Sequence, residues 1–192
     1  MRVLIVSEGP HERAGALENL LVKLGGNHDS FESERVANDN IHTHPGKYPG
    51  YTKKAIRWLL EAEKRNYNAL IFLIDEDGKR ERRKQIKNAQ NTDQSQLLHA
   101  MGVAIKTFDA WMLADEKALN LVLGCKINRQ KEPEKISDPK KVCQELLEKS
   151  ETGIPQREMY ARVSSNMDID ILSDRCQKGF KPFAAYVRKI FE

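Results

Sequence analysis

The sequence predicts an α/β protein: a mostly parallel four-stranded sheet flanked by helices, with a C-terminal helical extension. Three observations predict it. Short apolar runs alternate along the chain with segments whose apolar residues recur at helical spacing. The run Leu70-Ile71-Phe72-Leu73-Ile74 has no polar interruption, as a strand buried on both faces requires. Acids follow three of the strand-like runs, at Glu8, at Asp75 with Asp77, and at Asp109. Parallel strands end on one edge of their sheet, and ligands of open α/β sheets bind beyond that edge.

The first strand spans 2–6 and ends in Ser7-Glu8-Gly9-Pro10, where Gly9 suits a sharp turn and Pro10 the first turn of a helix. Ala14, Leu17, Leu20, Leu21 and Leu24 then follow a helical period, and Gly25-Gly26 stops it. Residues 31–36 read as a polar edge strand, and 37–50 as a loop rich in His, Pro and Gly. Thr52 is a natural N-cap for a helix to about residue 65. The central strand follows. A polar helix is expected over 79–99, a strand over 102–108, and a helix from Asp109 to about 123. Beyond a polar loop, Asp138-Pro139 opens a further helix. Three more helices follow, near 156–163, 169–176 and 178–191. The expected division is 1–123 for the α/β domain and 124–192 for the helical extension packed on it.

At 192 residues, 40% hydrophobic and 31% charged, the chain can bury a sizeable core. No apolar run approaches the ~18 residues of a membrane span. The N-terminus starts a strand at once and carries no signal-peptide pattern. Cys125, Cys143 and Cys176 are odd in number and widely spaced, which argues against a disulfide framework or a zinc site. A cytoplasmic location is expected.

Taken alone, Asp75-Glu76-Asp77-Gly78 is good turn chemistry, and Asp109 would be satisfied as a helix N-cap. Taken together, acids at three parallel strand ends would repel one another unless a cation neutralised them. Two aspartates one residue apart suit Mg²⁺, which takes one or two carboxylates plus water and phosphate oxygens. Lys79, Arg80, Arg82 and Arg83 begin immediately after them, with Lys84 and Lys87 beyond and only Glu81 opposed. Such a run is either a solvated helix face or the electrostatic part of a nucleic-acid site. His44 and Lys47, with His42, offer further phosphate contacts from the loop. His42-x-His44 lacks a third ligand nearby and reads as a polar loop rather than a metal site. Trp111 reads as core.

With these residues in view, the chain resembles the Toprim superfamily, marked by a Glu-Gly after the first strand and an Asp-x-Asp after a later one. It looks most like an uncharacterised bacterial Toprim-like family with the motifs Glu-Gly-Pro-Thr-Glu and Phe-Glu-Ala-Trp-Leu-Leu-Ala-Asp. Here these stand as Glu8-Gly9-Pro10-His11-Glu12 and Phe108-Asp109-Ala110-Trp111-Met112-Leu113-Ala114-Asp115. The departures are His11 for Thr and Asp109 for Glu. Asp170-Ile171-Leu172, with Cys176 and Phe180, is similar to that family's ending.

The resemblance implies a Toprim-like Rossmannoid fold and a Mg²⁺-dependent (or Mn²⁺-dependent) nuclease that hydrolyses phosphodiester bonds of nucleic acid, DNA ahead of RNA. It implies Asp75 and Asp77 as metal ligands and Glu8 as ligand or general acid/base. Glu12 would help to bind a second ion, and Asp109 would be a further ligand. It also implies an ATPase of the ABC or SMC-like kind as partner, in a phage-defence module. Two rival readings stand beside it. One is a non-catalytic Toprim-like module that regulates such an ATPase. The other is a phosphatase similar to the haloacid dehalogenases, which carry Asp-x-Asp-Gly on their first strand; here a strand and two helices precede it.

Overall fold

Strand β3 (Ala69–Asp75) occupies the middle of the molecule because nothing in it tolerates water. Its first six residues are buried, and only Asp75 at its end is partly open. The computed structural model describes residues 1–37 and 41–192; positions 38–40 of the expected loop lie outside the described residues. β3 pairs in parallel with β1 (Val3–Ser7) on one side and β4 (Leu98–Ala104) on the other. β2 (Phe31–Arg35) joins β1 in parallel as an edge strand. The strand order is β2-β1-β3-β4. The fold class is therefore the expected one.

Alternation along the strands divides the core in two. Val3 and Ile5, Ala69, Ile71 and Leu73, and Ala100 and Ala104 face one layer. Leu4 and Val6, Leu70, Phe72 and Ile74, and Met101 and Val103 face the other. The second layer is covered by α2 (Gly50–Lys64) and α3 (Glu81–Gln90), through Ile56, Trp58, Leu59, Ile86 and Ala89. The first, larger layer begins with α1 (Ala16–Lys23) and α4 (Asp109–Met112) and continues with α5 (Glu116–Leu123) and α6 (Pro139–Lys149). It ends with α7 (Gln156–Asn166), α8 (Ile169–Arg175) and α9 (Phe180–Phe191). Residues on both sides of position 123 share this layer. Trp111 sits in its middle, ringed by Phe108, Phe180 and Phe183. Each fully buried side chain of this size contributes about 2 kcal/mol.

Five elements differ from the sequence expectation. The helix expected over 79–99 stops at Gln90, and the fourth strand lies at Leu98–Ala104 rather than 102–108. The Gln90 side chain explains the stop. Its amide donates to the His99 carbonyl (3.2 Å) and accepts from the Met101 N–H (2.6 Å), so it stands in for a partner along the free edge of β4. Gly102 lies inside that strand because the Phe183 ring presses on it; an added Cβ would come 2.5 Å from the ring. α2 starts two residues before Thr52, whose hydroxyl donates to the Gln85 carbonyl (2.9 Å) instead of capping. The helix expected from residue 11 is broken by Gly15 at φ +98° into a single 3-10 turn, Glu12–Ala14, and α1. The helix expected from Asp109 to 123 is also two. Phe108, not Asp109, precedes α4, and Asp115 caps α5 by accepting from the N–H groups of Lys117 (2.9 Å) and Ala118 (3.3 Å).

Among the described residues no helix is long and apolar enough to cross a membrane. All three cysteines are free.

Candidate functional site

Strand register brings the predicted acids to one edge. Ser7 of β1 lies opposite Leu73, and Asp75 lies opposite Ala104. Glu8, Asp75 and the turn that leads to Asp109 therefore leave the sheet together. Glu8 Oε2 accepts the Asp75 N–H (3.1 Å), and Asp75 Oδ1 accepts the Phe108 N–H (2.7 Å). The ends of β1, β3 and β4 are thus linked through two carboxylates.

Asp75 shares its face of β3 with Ile71 and Leu73, so its carboxyl turns into the larger layer. Burial, then the charges of Glu12, Asp109 and Glu8, outweigh the Phe108 N–H and push Asp75 up to about 8. Glu12 is buried in the 3-10 turn, and burial together with Asp109 and Glu8 raises its carboxyl as well. Its carboxylate lies against the backbone of Gly9, where an added Cβ would come 2.0 Å from Oε2. Gly9 is needed for this close approach, not for a left-handed turn. Asp109 is buried in the first turn of α4. Its Oδ1 accepts from the Tyr160 hydroxyl and from Gln156 Nε2 (3.4 Å). Glu8, Glu12 and Asp109 are therefore close enough to oppose ionisation of Asp75, and Glu8 and Asp109 that of Glu12.

Asp77 is placed differently. It adopts φ +50°, its side chain is exposed, and Arg82 Nη2 reaches its Oδ2 at 3.8 Å. The structure brings it to the outer side of Glu8 rather than into the group around Asp75. Arg82 was expected on an exposed basic face but is buried. It contacts Glu8 (3.4 Å), donates to the Asp75 carbonyl (2.7 Å), and stacks on the Tyr51 ring at 4.5 Å. The Tyr51 hydroxyl donates to Glu8 Oε1. Burial and that carboxylate push the phenol up to about 12.

The other basic candidates divide. Lys79 and Arg80 are exposed at the start of the run, and His44 and Lys47 are exposed on the segment before α2. Arg83 pairs with Glu76 at 2.5 Å. Arg80 and Arg83 line a cavity that also takes in Lys106, Lys131, Lys135 and Lys178.

Sequence reasoning missed several partners. Tyr51, Gln156 and Tyr160 lie 43 to 51 residues from the acids they touch. Glu76 is buried between the two aspartates and accepts the Lys106 N–H (3.3 Å). One signal was available: strict alternation turns Glu76 to the face opposite Asp75.

The donor set fits a divalent cation in kind. It is all oxygen, carboxylate-rich and at a strand edge, as Mg²⁺ or Mn²⁺ requires. It is not a ready-made cage, since among the described residues no three His, Cys, Asp or Glu side chains are close enough to hold an ion. Glu8 is held by Tyr51, Arg82 and the Asp75 N–H, and drawing it onto a cation would loosen the first two.

Fold and site together define an α/β protein with a buried carboxylate group at the carboxyl ends of a parallel sheet. A family model described as Domain of unknown function (DUF4276) matches residues 8–188, and the chain belongs to that family. No curated protein and no solved structure matches the chain.

Proposed function

We propose that this protein is a Mg²⁺- or Mn²⁺-dependent phosphodiesterase of the Toprim type that acts on nucleic acid. One observation carries the reading: Glu8, Glu12, Asp75 and Asp109, from three separate chain segments, gather at one sheet edge although their company raises the cost of ionising Asp75 and Glu12. Mutual repulsion of this kind has a physical use where a cation relieves it. Asp75, Glu12 and Asp109 would hold the ion from the buried side and Glu8 from the open side. Asp77 would stand at the rim. When bound, the cation supplies Lewis-acid stabilisation of charge on the phosphoryl oxygens. Arg82, fixed by Tyr51 and by Glu8, offers a guanidinium beside the same point for a phosphate oxygen.

The same Arg82 favours a second reading. Its contacts with Glu8 and Asp77 compensate both acids without a metal, as a non-catalytic module for a partner ATPase would allow.

Incubation with plasmid and with short oligonucleotides separates the readings. Cleavage with Mg²⁺ or Mn²⁺ that stops with chelator, and falls by about 100-fold or more in Asp75→Ala and Glu8→Ala, is the expected result. Cleavage that survives both substitutions sinks the site. Absence of cleavage with retained ATPase binding favours the module, and turnover of a small phosphomonoester favours a phosphatase.

A further inference from the structure

Beside the acidic centre lies a cavity of about 650 Å³ whose walls are largely basic. It is built from the turn after β3, the turn after β4, the segment before α6, and the α8–α9 connection. The four clustered carboxylates do not line it, but its walls are the turns that carry them. Glu76 follows Asp75, and Lys106 is three residues before Asp109.

Three of its cations are paired: Arg83 with Glu76, Lys135 with Glu132, and Arg175 with Glu116. Arg80, Lys106, Lys131 and Lys178 have no ion-pair partner among the described residues. Of the acids in the walls, only Asp174 is likewise unpaired and free of hydrogen bonds there, so a positive excess faces the space.

Two of these cations, Lys106 and Lys178, are placed by buried carboxylates. Glu76 accepts the Lys106 N–H, and the Lys106 carbonyl accepts the Asp77 N–H (2.8 Å). Both contacts hold Lys106 at φ +65°, a conformation that a long L side chain rarely adopts. Buried Glu134 accepts the N–H groups of Lys178 (3.0 Å) and Gly179 (2.6 Å), which fixes the turn that presents Lys178. Cations from four segments line one space, and two of them are fixed in place by buried carboxylates, which makes it a built anion site rather than scattered surface lysines.

We propose that this cavity seats the sugar–phosphate backbone of a single nucleic-acid strand that passes to or from the acidic centre. The inference rests on the phosphodiester reading for its substrate class. Its volume falls among small-ligand sites, roughly 300 to 1,000 Å³, and has room for one backbone but not for the width of a duplex. Among the described residues no aromatic side chain lines it, so they offer no platform for stacking a base. Recognition through phosphates alone is indifferent to sequence. The strand path therefore runs along the β4 side of the site through Arg80, Lys106, Lys131 and Lys178. Arg82 does not line this cavity; it stands at the acidic centre where the path ends.

The test is equilibrium binding of fluorescein-labelled single strands of about 15 nucleotides, DNA and RNA, followed by anisotropy in EDTA. Wild type is compared with Lys106→Asn, Lys131→Gln and Lys178→Gln, singly and together. Asn suits the positive φ at position 106, so that change removes charge without new strain. Lys23→Gln with Lys64→Gln, at the far ends of α1 and α2, is the control. The triple variant should bind at least tenfold more weakly at about 100 mM salt, and its log–log salt slope should be shallower by about two. Homopolymer and mixed sequences should bind alike. Unchanged binding by the triple variant, an equal loss in the control, or sequence preference overturns the proposal. So does a nucleoside triphosphate that binds as tightly as the strand, because the cavity is then a mononucleotide pocket. Strand binding through these lysines without cleavage under any metal leaves this inference standing and removes the phosphodiesterase.

Discussion

Replacing Asp75 by Asn should make the protein more stable, and increasingly so as pH rises. In the unfolded chain the carboxyl ionises near its ordinary value of 3.8; in the fold it holds its proton to about 8. Between those values the folded state binds the extra proton, so stability falls as pH rises. Below the window both states are protonated and nothing is lost; above it the loss is complete. Between about pH 5 and pH 8 the penalty grows by on the order of 4 kcal/mol, from about 1.4 kcal/mol per pH unit. Asn cannot ionise, and its side-chain carbonyl can still accept the Phe108 N–H. The gap in Tm between variant and wild type in EDTA should therefore widen by roughly 10 °C across that range, for a chain of this size. Scanning calorimetry or dye-monitored melting at matched ionic strength reads it directly. Mn²⁺ or Mg²⁺ should raise the wild-type Tm more at pH 8 than at pH 5, because at pH 5 protons compete for the site, and should do little for the variant. A gap that stays constant from pH 5 to pH 8 in EDTA would refute the claim that Asp75 is buried among opposing carboxylates.

Two further substitutions probe the same centre. Gly9→Ala puts a methyl 2.0 Å from Glu12 Oε2, so the carboxylate must move. Stability should fall by about 1 to 2 kcal/mol, because only the end of one side chain is displaced, while the Mn²⁺-induced rise in Tm should shrink markedly; an unaltered metal response counts against Glu12 as a ligand. Tyr160→Phe removes the hydroxyl that Asp109 accepts inside the core and leaves mainly the longer Gln156 contact. Urea denaturation should show a loss of about 1 to 3 kcal/mol with an unchanged m-value, and a midpoint equal to wild type would contradict this account.

Much of the fold was legible because it rests on local pattern. Leu70 to Ile74 admits no solvated face, and Asp138-Pro139 starts its helix as an N-cap followed by proline. The polar stretch at 31–36 reads as an edge strand, and Phe31–Arg35 form one. β4 was harder to find. Leu98-His99-Ala100-Met101-Gly102-Val103-Ala104 has one β-branched residue and an internal glycine, and Gln90 and Phe183 explain why such a stretch is held as a strand. Nothing within a few residues of Gln90 announces either contact.

The site divides in the same way. From sequence alone, Glu8, Asp75, Asp77 and Asp109 follow strand-like runs, and parallel pairing sends strand ends to one edge; that is a rule of topology and needs no tertiary contact. Side-chain direction does need it. The pleat turns Asp75 inward toward Glu12 and Asp109, while the left-handed backbone at Asp77 leaves it outside with Arg82. Lys106, Lys131 and Lys178 lie 25 to 72 residues apart, so their gathering with Arg80 around one cavity comes only from packing. Short-range patterns set which segments form strands and helices. Which charges face one another is set by contacts between distant segments, and those form only when the sheet and its helices close on one core.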